Sequence, residues 1–123
     1  MNTEIVITTA ATFGMLAVIF GAFGAHALKK ILSEDQLKSF ETGVKYQMYH
    51  AIVLLVLGLN PTYITSEIYW CFTIGILLFS FSIYGLVISS AKGKKLKFLG
   101  PITPLGGLLF IVGWLLLIIN TIS

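Results

Sequence analysis

Two histidines, His26 and His50, are the side chains whose type best suits chemistry near neutral pH in this sequence. Imidazole can change its charge in that range, bind a metal ion, and both donate and accept hydrogen bonds. His26 precedes Lys29 by three residues and His50 follows Lys45 by five, so each lies just inside an uncharged stretch. Counting depth from these lysines predicts that the two histidines share one layer near a membrane surface.

Other polar side chains reach the same predicted depth from the remaining helices. The candidate polar layer consists of His26, Tyr46, Gln47, His50, Tyr84 and Thr103. Because unpaired polar groups are costly in hydrocarbon, we expect them to point into a helix bundle. No catalytic residue, metal site or cofactor is predicted, since the sequence offers no nucleophile motif and no carboxylate pair in this layer.

Three roles remain open for the layer. It can tie helices together through hydrogen bonds, or provide titratable steps in a small channel or transporter, although the buried carboxylate common in such relays is missing. A bis-histidine haem between the first two helices is the third alternative, because four-helix bundles accept cofactors in their cores.

The elements that position this layer follow from composition. The chain of 123 residues is 57% hydrophobic and 11% charged, whereas about a quarter of the residues of a soluble domain are charged. Its charges leave four gaps, each long enough for one crossing of about 20 residues. The predicted spans are about 5–28, 44–60, 68–91 and 103–121. We therefore predict a single domain, 1–123, that forms an all-α, integral membrane four-helix transmembrane bundle.

Lysine placement predicts the orientation of the bundle. All 8 basic residues are lysines, and they lie in or beside the first and third connections. The positive-inside rule makes that side cytoplasmic, with both termini outside, in a bacterial plasma membrane. The lysines expected to contact anionic lipid headgroups are Lys29, Lys30, Lys92, Lys94, Lys95 and Lys97. Topology accounts for these lysines and there is no arginine, so no nucleic-acid partner is expected.

Capping signals mark two helix starts. Ser33 and Gln36 form a capping-box pattern, which predicts that the second helix begins as an amphipathic cytoplasmic extension over about 34–45. Its charges share one face, opposite Gln47 and His50, so Glu41 can join those residues only if another helix or subunit covers its face. Thr103 is expected to be the N-cap of the fourth helix, with Pro104 at the first helical position.

Small residues recur at helical spacing in the first and fourth spans. The predicted helix-packing positions are Gly14, Ala17, Gly21, Ala25, Gly106, Gly107 and Gly113. Small side chains let helix backbones approach closely within a membrane. Such seams also make a homo-oligomer plausible.

Three motifs, GAFGAHAL (21–28), ETGVKYQMYH (41–50) and GPITPLGG (100–107), occur in order along the chain. Together they resemble the YgdD/YwdK-type family of small multi-pass bacterial membrane proteins. The resemblance implies an inner-membrane protein and carries no catalytic role. We therefore expect a non-enzymatic membrane scaffold or partner protein, with a small oligomeric channel or transporter as the alternative.

Overall fold

The computed structural model describes residues 2–123, apart from the side chain of Ala25, and in that range it contains four long helices. They are α1 (Thr3–Leu28), α2 (Glu34–Leu59), α3 (Ser66–Ala91) and α4 (Ile102–Ile122). Short 3₁₀ turns, Pro61–Tyr63 and Lys97–Leu99, lie in the second and third connections. The chain is therefore all-α.

Polar side chains begin three of the helices as capping rules require. The capping box of α2 is confirmed: Ser33 Oγ accepts the Gln36 backbone N–H at 3.1 Å, and Gln36 Oε1 accepts the Ser33 N–H at 2.9 Å. Asn2 caps α1 and Thr65 caps α3 in the same way. These bonds satisfy backbone donors that a helix start leaves without partners.

The prediction that Thr103 is an N-cap is wrong. Helix α4 begins at Ile102, and the residue before it, Pro101, makes no side-chain cap bond. Thr103 lies within the first turn, where its hydroxyl contacts Ser82 of α3 at 2.5 Å. A contact between helices has replaced the local cap.

Each helix packs antiparallel to the next along the chain. Gly58 of α2 lies against Ile7 of α1, and Val44 lies beside Gly21, so α1 and α2 are in contact along most of their length. In the same way α4 packs along α3, where Gly113 meets the ring of Phe72. The core between these pairs contains the fully buried side chains of Leu54, Ile68, Phe72 and Ile76.

Two helices contain a π-helical segment. In α1 it spans Ile19–Gly24, and in α3 it spans Leu77–Phe81. A π segment widens one turn and shifts the direction of the side chains around it, and such segments are frequent at functional sites. The segment in α3 contains Ser80, which is fully buried and bonds to α2.

The small residues differ in how closely they pack. A Cβ at Gly106 would collide with the Phe79 backbone, and one at Gly113 would lie 2.7 Å from the Phe72 ring, so both permit close contact of α4 with α3. Ala17 is buried, and a Cβ at Gly21 would lie 3.2 Å from Val44. By contrast, Gly14 faces open space, and Gly107 leaves ordinary van der Waals room. The side chain of Ala25 lies outside the described part of the structure.

Among the residues that the structure describes, three stretches have the length and composition of membrane-crossing helices: Thr3–Leu28, Ser66–Ala91 and Lys97–Ile122. The N-terminal half of α2 carries charged residues and α2 is not among these stretches, although it lies along α1. The hydropathy of α2 therefore does not indicate a crossing, and its position in the bundle is defined by its packing along α1.

Candidate functional site

Gln47 is the polar side chain at the centre of the bundle, and none of its surface is exposed. Its Nε2 donates to the carbonyl oxygen of Phe13 in α1 at 2.8 Å, and its Oε1 accepts the hydroxyl of Tyr84 in α3 at 2.7 Å. A carbonyl oxygen has two lone pairs, so Phe13 can accept this bond within a helix. Gln47 thus joins three helices.

Two serines of α3 extend this network towards its neighbours. Ser80 Oγ donates to the carbonyl of Gly43 in α2 at 2.6 Å. A Cβ at Gly43 would lie 2.8 Å from the Tyr84 ring, so the glycine permits this close approach. Ser82 bonds to Thr103, as described above, and also donates to the Phe79 carbonyl at 3.0 Å. The serines therefore link α3 to both α2 and α4.

His50 has a defined hydrogen-bond arrangement at both ring nitrogens. Trp114 Nε1 of α4 lies 3.1 Å from His50 Nε2, and the Tyr46 carbonyl lies 2.8 Å from His50 Nδ1. An indole nitrogen only donates, so His50 Nε2 accepts and Nδ1 carries the proton that the carbonyl accepts. These contacts assign His50 as the neutral Nδ1–H tautomer.

The surroundings of His50 are aromatic. Its ring stacks on Phe110 with a centroid distance of 3.7 Å and an interplanar angle of 6°. Phe72 and Trp114 approach the same ring at 5.5 and 5.9 Å. Because both nitrogens are paired, His50 has no lone pair left for haem iron in this arrangement, and it acts as a bridge between α2 and α4.

The structure does not place His26 beside this group. His26 is exposed and follows Gly24, which lies against Phe40 of α2. Phe40 and His50 are separated by about 15 Å along α2 at 1.5 Å per residue. The predicted position of His26, level with His50, is wrong because it takes Lys45 as the end of the bundle, and α2 continues beyond Lys45 on that side. Tyr46 is half exposed, next to His50, and packs on Phe79 with a centroid distance of 5.0 Å.

Sequence reasoning did not identify Trp114 or the Phe13 carbonyl as partners in this site. A tryptophan in a span more often marks the membrane interface, and a backbone carbonyl gives no sequence signal. The contacts join residues far apart in the chain, so only the packing of the helices could reveal them.

A long groove lies between α2 and α4, with α3 as its floor. One part has a volume of about 680 Å³ and opens near Asp35, Lys95 and Lys97. A second part, of about 620 Å³, reaches His50 and Trp114. Thr42 and Pro104 line both parts, so the two parts adjoin, and we call them together the α2–α4 groove.

The side of α2 that faces away from the buried Gln47 exposes a row of charges. Glu34, Lys38, Glu41 and Lys45 are all exposed, whereas Gln47 and His50 are buried, which confirms the predicted division of this helix into two faces. We call these four residues the charged stripe.

The chain is similar to a family of bacterial membrane proteins. Residues 20–107 match the model of a family described as protein of unknown function (DUF423). The chain belongs to this family. UPF0382 membrane proteins from two staphylococci are each 40% identical to it: one from Staphylococcus aureus covers 96% of this chain and 95% of its own, and one from Staphylococcus epidermidis covers 98% and 97%. A UPF0382 membrane protein of Staphylococcus haemolyticus is 41% identical and covers 87% of this chain and 86% of its own. No solved structure matches the chain.

The family and the fold agree on the general class of the protein. Its relatives are named membrane proteins, and three of its helical stretches are apolar and long enough to cross a bilayer. The chain is therefore an all-helical membrane protein from a family of unknown function.

Proposed function

We propose that all four helices cross a bacterial plasma membrane, with the lysine-rich loops in the cytoplasm and both termini outside. The contacts of α2 with α1 support a fourth crossing, because α2 runs beside a membrane-capable helix from Phe40, next to Gly24, to Gly58, next to Ile7. Two of the polar residues that lower its hydropathy, Gln47 and His50, are buried within the bundle, whereas the charged residues of its N-terminal half are exposed.

Within this membrane arrangement, we propose that the protein is a non-enzymatic scaffold that associates with a second copy of itself. The observation that carries the proposal is the exposure of Glu41 and Lys45 on the part of α2 that the proposed crossing places within the membrane. Phe40 and Val44, which precede Glu41 and Lys45, lie beside Gly24 and Gly21 of α1. At 1.5 Å per residue, Glu41 and Lys45 are then about 7 and 12 Å deeper than Leu28, where the uncharged part of α1 ends.

Charged side chains at this depth are costly against lipid unless they are paired or reach the interface. The side chain of Lys45 points towards the start of α2, because Cβ atoms tilt towards the N-terminus of a helix. Its long side chain can therefore reach past the level of Glu41 towards the membrane surface. A carboxylate at that level still lacks water, so a partner that supplies positive charge stabilises it.

A second copy of the chain fits this face better than an unrelated partner does. The charged stripe alternates in sign, so two copies inserted in the same direction can each offer Lys45 to the partner's Glu41. Further along α2, after Lys45, the same side of the helix exposes the apolar side chains of Ile52 and Val56, which suit contact with another helix in hydrocarbon. The stripe thus combines charge complementarity with a surface for close packing.

A channel or transporter through one bundle is less well supported. The side chains that would have to conduct, Gln47 and Tyr84, are bonded to each other, and His50 is bonded to Trp114. Opening a path would break these bonds in a low-dielectric environment. The paired nitrogens of His50 likewise leave the bis-histidine haem without support.

Charge reversal tests the scaffold proposal. Two differently tagged copies are expressed in one membrane, and the fraction that purifies together is measured. We expect Glu41→Lys and Lys45→Glu each to lose self-association, because each creates like charges across the interface. Co-expressed with each other, the two variants should associate again, since opposite charges then face each other between copies.

Glu34→Lys is the matched control, because Glu34 begins α2 outside the proposed hydrocarbon and should tolerate reversal. Wild-type copies that do not purify together would contradict the scaffold proposal. So would reversal variants that associate with themselves as well as with each other.

A further inference from the structure

The α2–α4 groove changes in character along its length. Its open end is lined by Lys95, Lys97 and the hydroxyl groups of Ser39 and Ser90, with one carboxylate, Asp35. The deep part is lined mainly by aromatic and aliphatic side chains. A ligand that is polar and negative at one end and apolar at the other would match both parts.

Charge favours an anionic group at the open end. Lys95 and Lys97 outnumber Asp35, which leaves one excess positive charge among the residues that line this part. Ser90 Oγ lies 3.4 Å from Gln36 Nε2, which can only donate, so the serine accepts and keeps its own hydroxyl proton for a ligand. A phosphodiester carries the single negative charge and the acceptor oxygens that these groups suit.

Apolar contacts favour a hydrocarbon chain in the deep part. Phe79 forms its floor, while Tyr46, Leu108 and Ile111 present half-exposed or exposed apolar surface from the two sides. The bond between Trp114 and His50 joins the walls at the deep end. Because both groups of this bond are already paired, the deep end offers little to a polar ligand.

The length of the groove matches one membrane leaflet. From Asp35 to His50 the groove follows α2 for about 22 Å at 1.5 Å per residue. Half of a bilayer, including its headgroups, is about 20 to 22 Å thick. A lipid with its phosphate at Lys95 and Lys97 would therefore lay one acyl chain along the groove towards His50.

We propose that the α2–α4 groove binds one anionic phospholipid of the surrounding leaflet, with the phosphate at Lys95 and Lys97 and an acyl chain on Phe79. This inference uses the proposed crossing of the membrane but does not depend on self-association, because the charged stripe is a separate face of α2. The two proposals can therefore fail independently.

Native mass spectrometry of the purified chain tests the site, with phosphatidylglycerol and phosphatidylcholine of identical acyl chains as probes. We expect one tightly bound phosphatidylglycerol and weaker binding of phosphatidylcholine. Lys95→Gln with Lys97→Gln should weaken phosphatidylglycerol binding about tenfold or more, since each lysine near the membrane surface contributes measurably to anionic lipid binding. Lys92→Gln with Lys94→Gln, in the same loop but outside the groove lining, is the matched control.

A second pair of variants tests the acyl-chain part. Gly107 lines the deep part and has room for a side chain, so Gly107→Leu should fill the groove and weaken binding of both lipids. Gly14→Leu adds the same side chain to α1 at a position that faces open space, and it should leave binding unchanged.

Equal binding of the two lipids by the wild-type chain would overturn the proposal. Equal losses from the two lysine pairs would also overturn it, because the lysines would then attract lipid without a defined site. Cross-linking of a Leu108→Cys variant to another protein chain through the groove would show a protein occupant instead.

Discussion

The hydroxyl of Tyr84 donates a hydrogen bond to the side-chain oxygen of Gln47 at 2.7 Å in the interior of the bundle. The Gln47 amide nitrogen is bonded in turn to the Phe13 carbonyl, so α1, α2 and α3 meet at one side chain. In a membrane, where burial of apolar surface does not drive helices together, packing and hydrogen bonds of this kind hold a bundle in one arrangement.

Tyr84→Phe should destabilise the protein, because it leaves the Gln47 oxygen buried without this donor. We expect a loss of about 1 to 2 kcal/mol in the free energy of unfolding, the range for a buried hydrogen bond that loses one partner. Reversible unfolding in mixed detergent micelles measures the change. Gln47→Leu combined with Tyr84→Phe should cost less than the sum of the single changes, since residues in one network do not behave additively. Strict additivity would show that the bond contributes nothing.

The ends of the helices were largely predictable from local sequence, whereas the composition of the polar site was not. The uncharged stretch before Lys29 predicts the end of α1, and the Ser33 capping box predicts the start of α2. Both signals are formed by residues that are close together in the chain, so the sequence alone reveals them. The depth of His26 depends instead on which residues of α2 lie beside α1. Val44, the residue before Lys45, lies beside Gly21 in the middle of the α1–α2 contact and not at the end of the bundle. Depths counted from Lys45 therefore place His50 too close to His26.

The helix partners of Thr103 and His50 were also beyond local reasoning. Thr103 followed by Pro104 has the pattern of a helix start, yet its hydroxyl bonds to Ser82 of α3. His50 pairs with Trp114, which is far away in sequence and in a different helix. For both residues, a contact with another helix determines the hydrogen bonds of the side chain, and the neighbouring sequence does not predict that contact.

Gly106→Ala should be strongly destabilising, whereas Gly107→Ala should not. A Cβ at Gly106 would collide with the Phe79 backbone, so α3 and α4 would have to move apart, and overpacking of this kind costs about 1 to 3 kcal/mol. A Cβ at Gly107 would lie 3.7 Å from the Phe79 ring, an ordinary contact, and alanine favours the helix by up to about 1 kcal/mol. Thermal melting of the two variants in the same detergent provides the comparison. Equal melting temperatures would contradict the close contact of α3 with α4.

Thr73→Val and Ser80→Ala should have different effects although both remove a buried hydroxyl. Thr73 Oγ1 has no hydrogen-bond partner within the described residues, so an isosteric methyl group should leave the free energy of unfolding unchanged or raise it. Ser80 Oγ is bonded to the Gly43 carbonyl at 2.6 Å, and its removal should cost about 1 kcal/mol. Unfolding in mixed micelles again measures both. A larger loss for Thr73→Val than for Ser80→Ala would mean that Thr73 has a partner in the folded protein.

Cysteine labelling in intact cells should find both termini outside if α2 crosses the membrane. The native Cys71 is first replaced by alanine, and single cysteines are then placed at Asn2, Thr62, Lys94 or Ser123. We expect a membrane-impermeant thiol reagent to label the variants at Asn2, Thr62 and Ser123 in intact cells, and the Lys94 variant only after permeabilisation, because the lysine-rich loops should be cytoplasmic. Three crossings, with α2 remaining on one side, would instead leave Thr62 and Asn2 on opposite sides of the membrane. Labelling of Asn2 without Thr62 would therefore reject the fourth crossing, and with it the argument that Glu41 and Lys45 lie within the hydrocarbon.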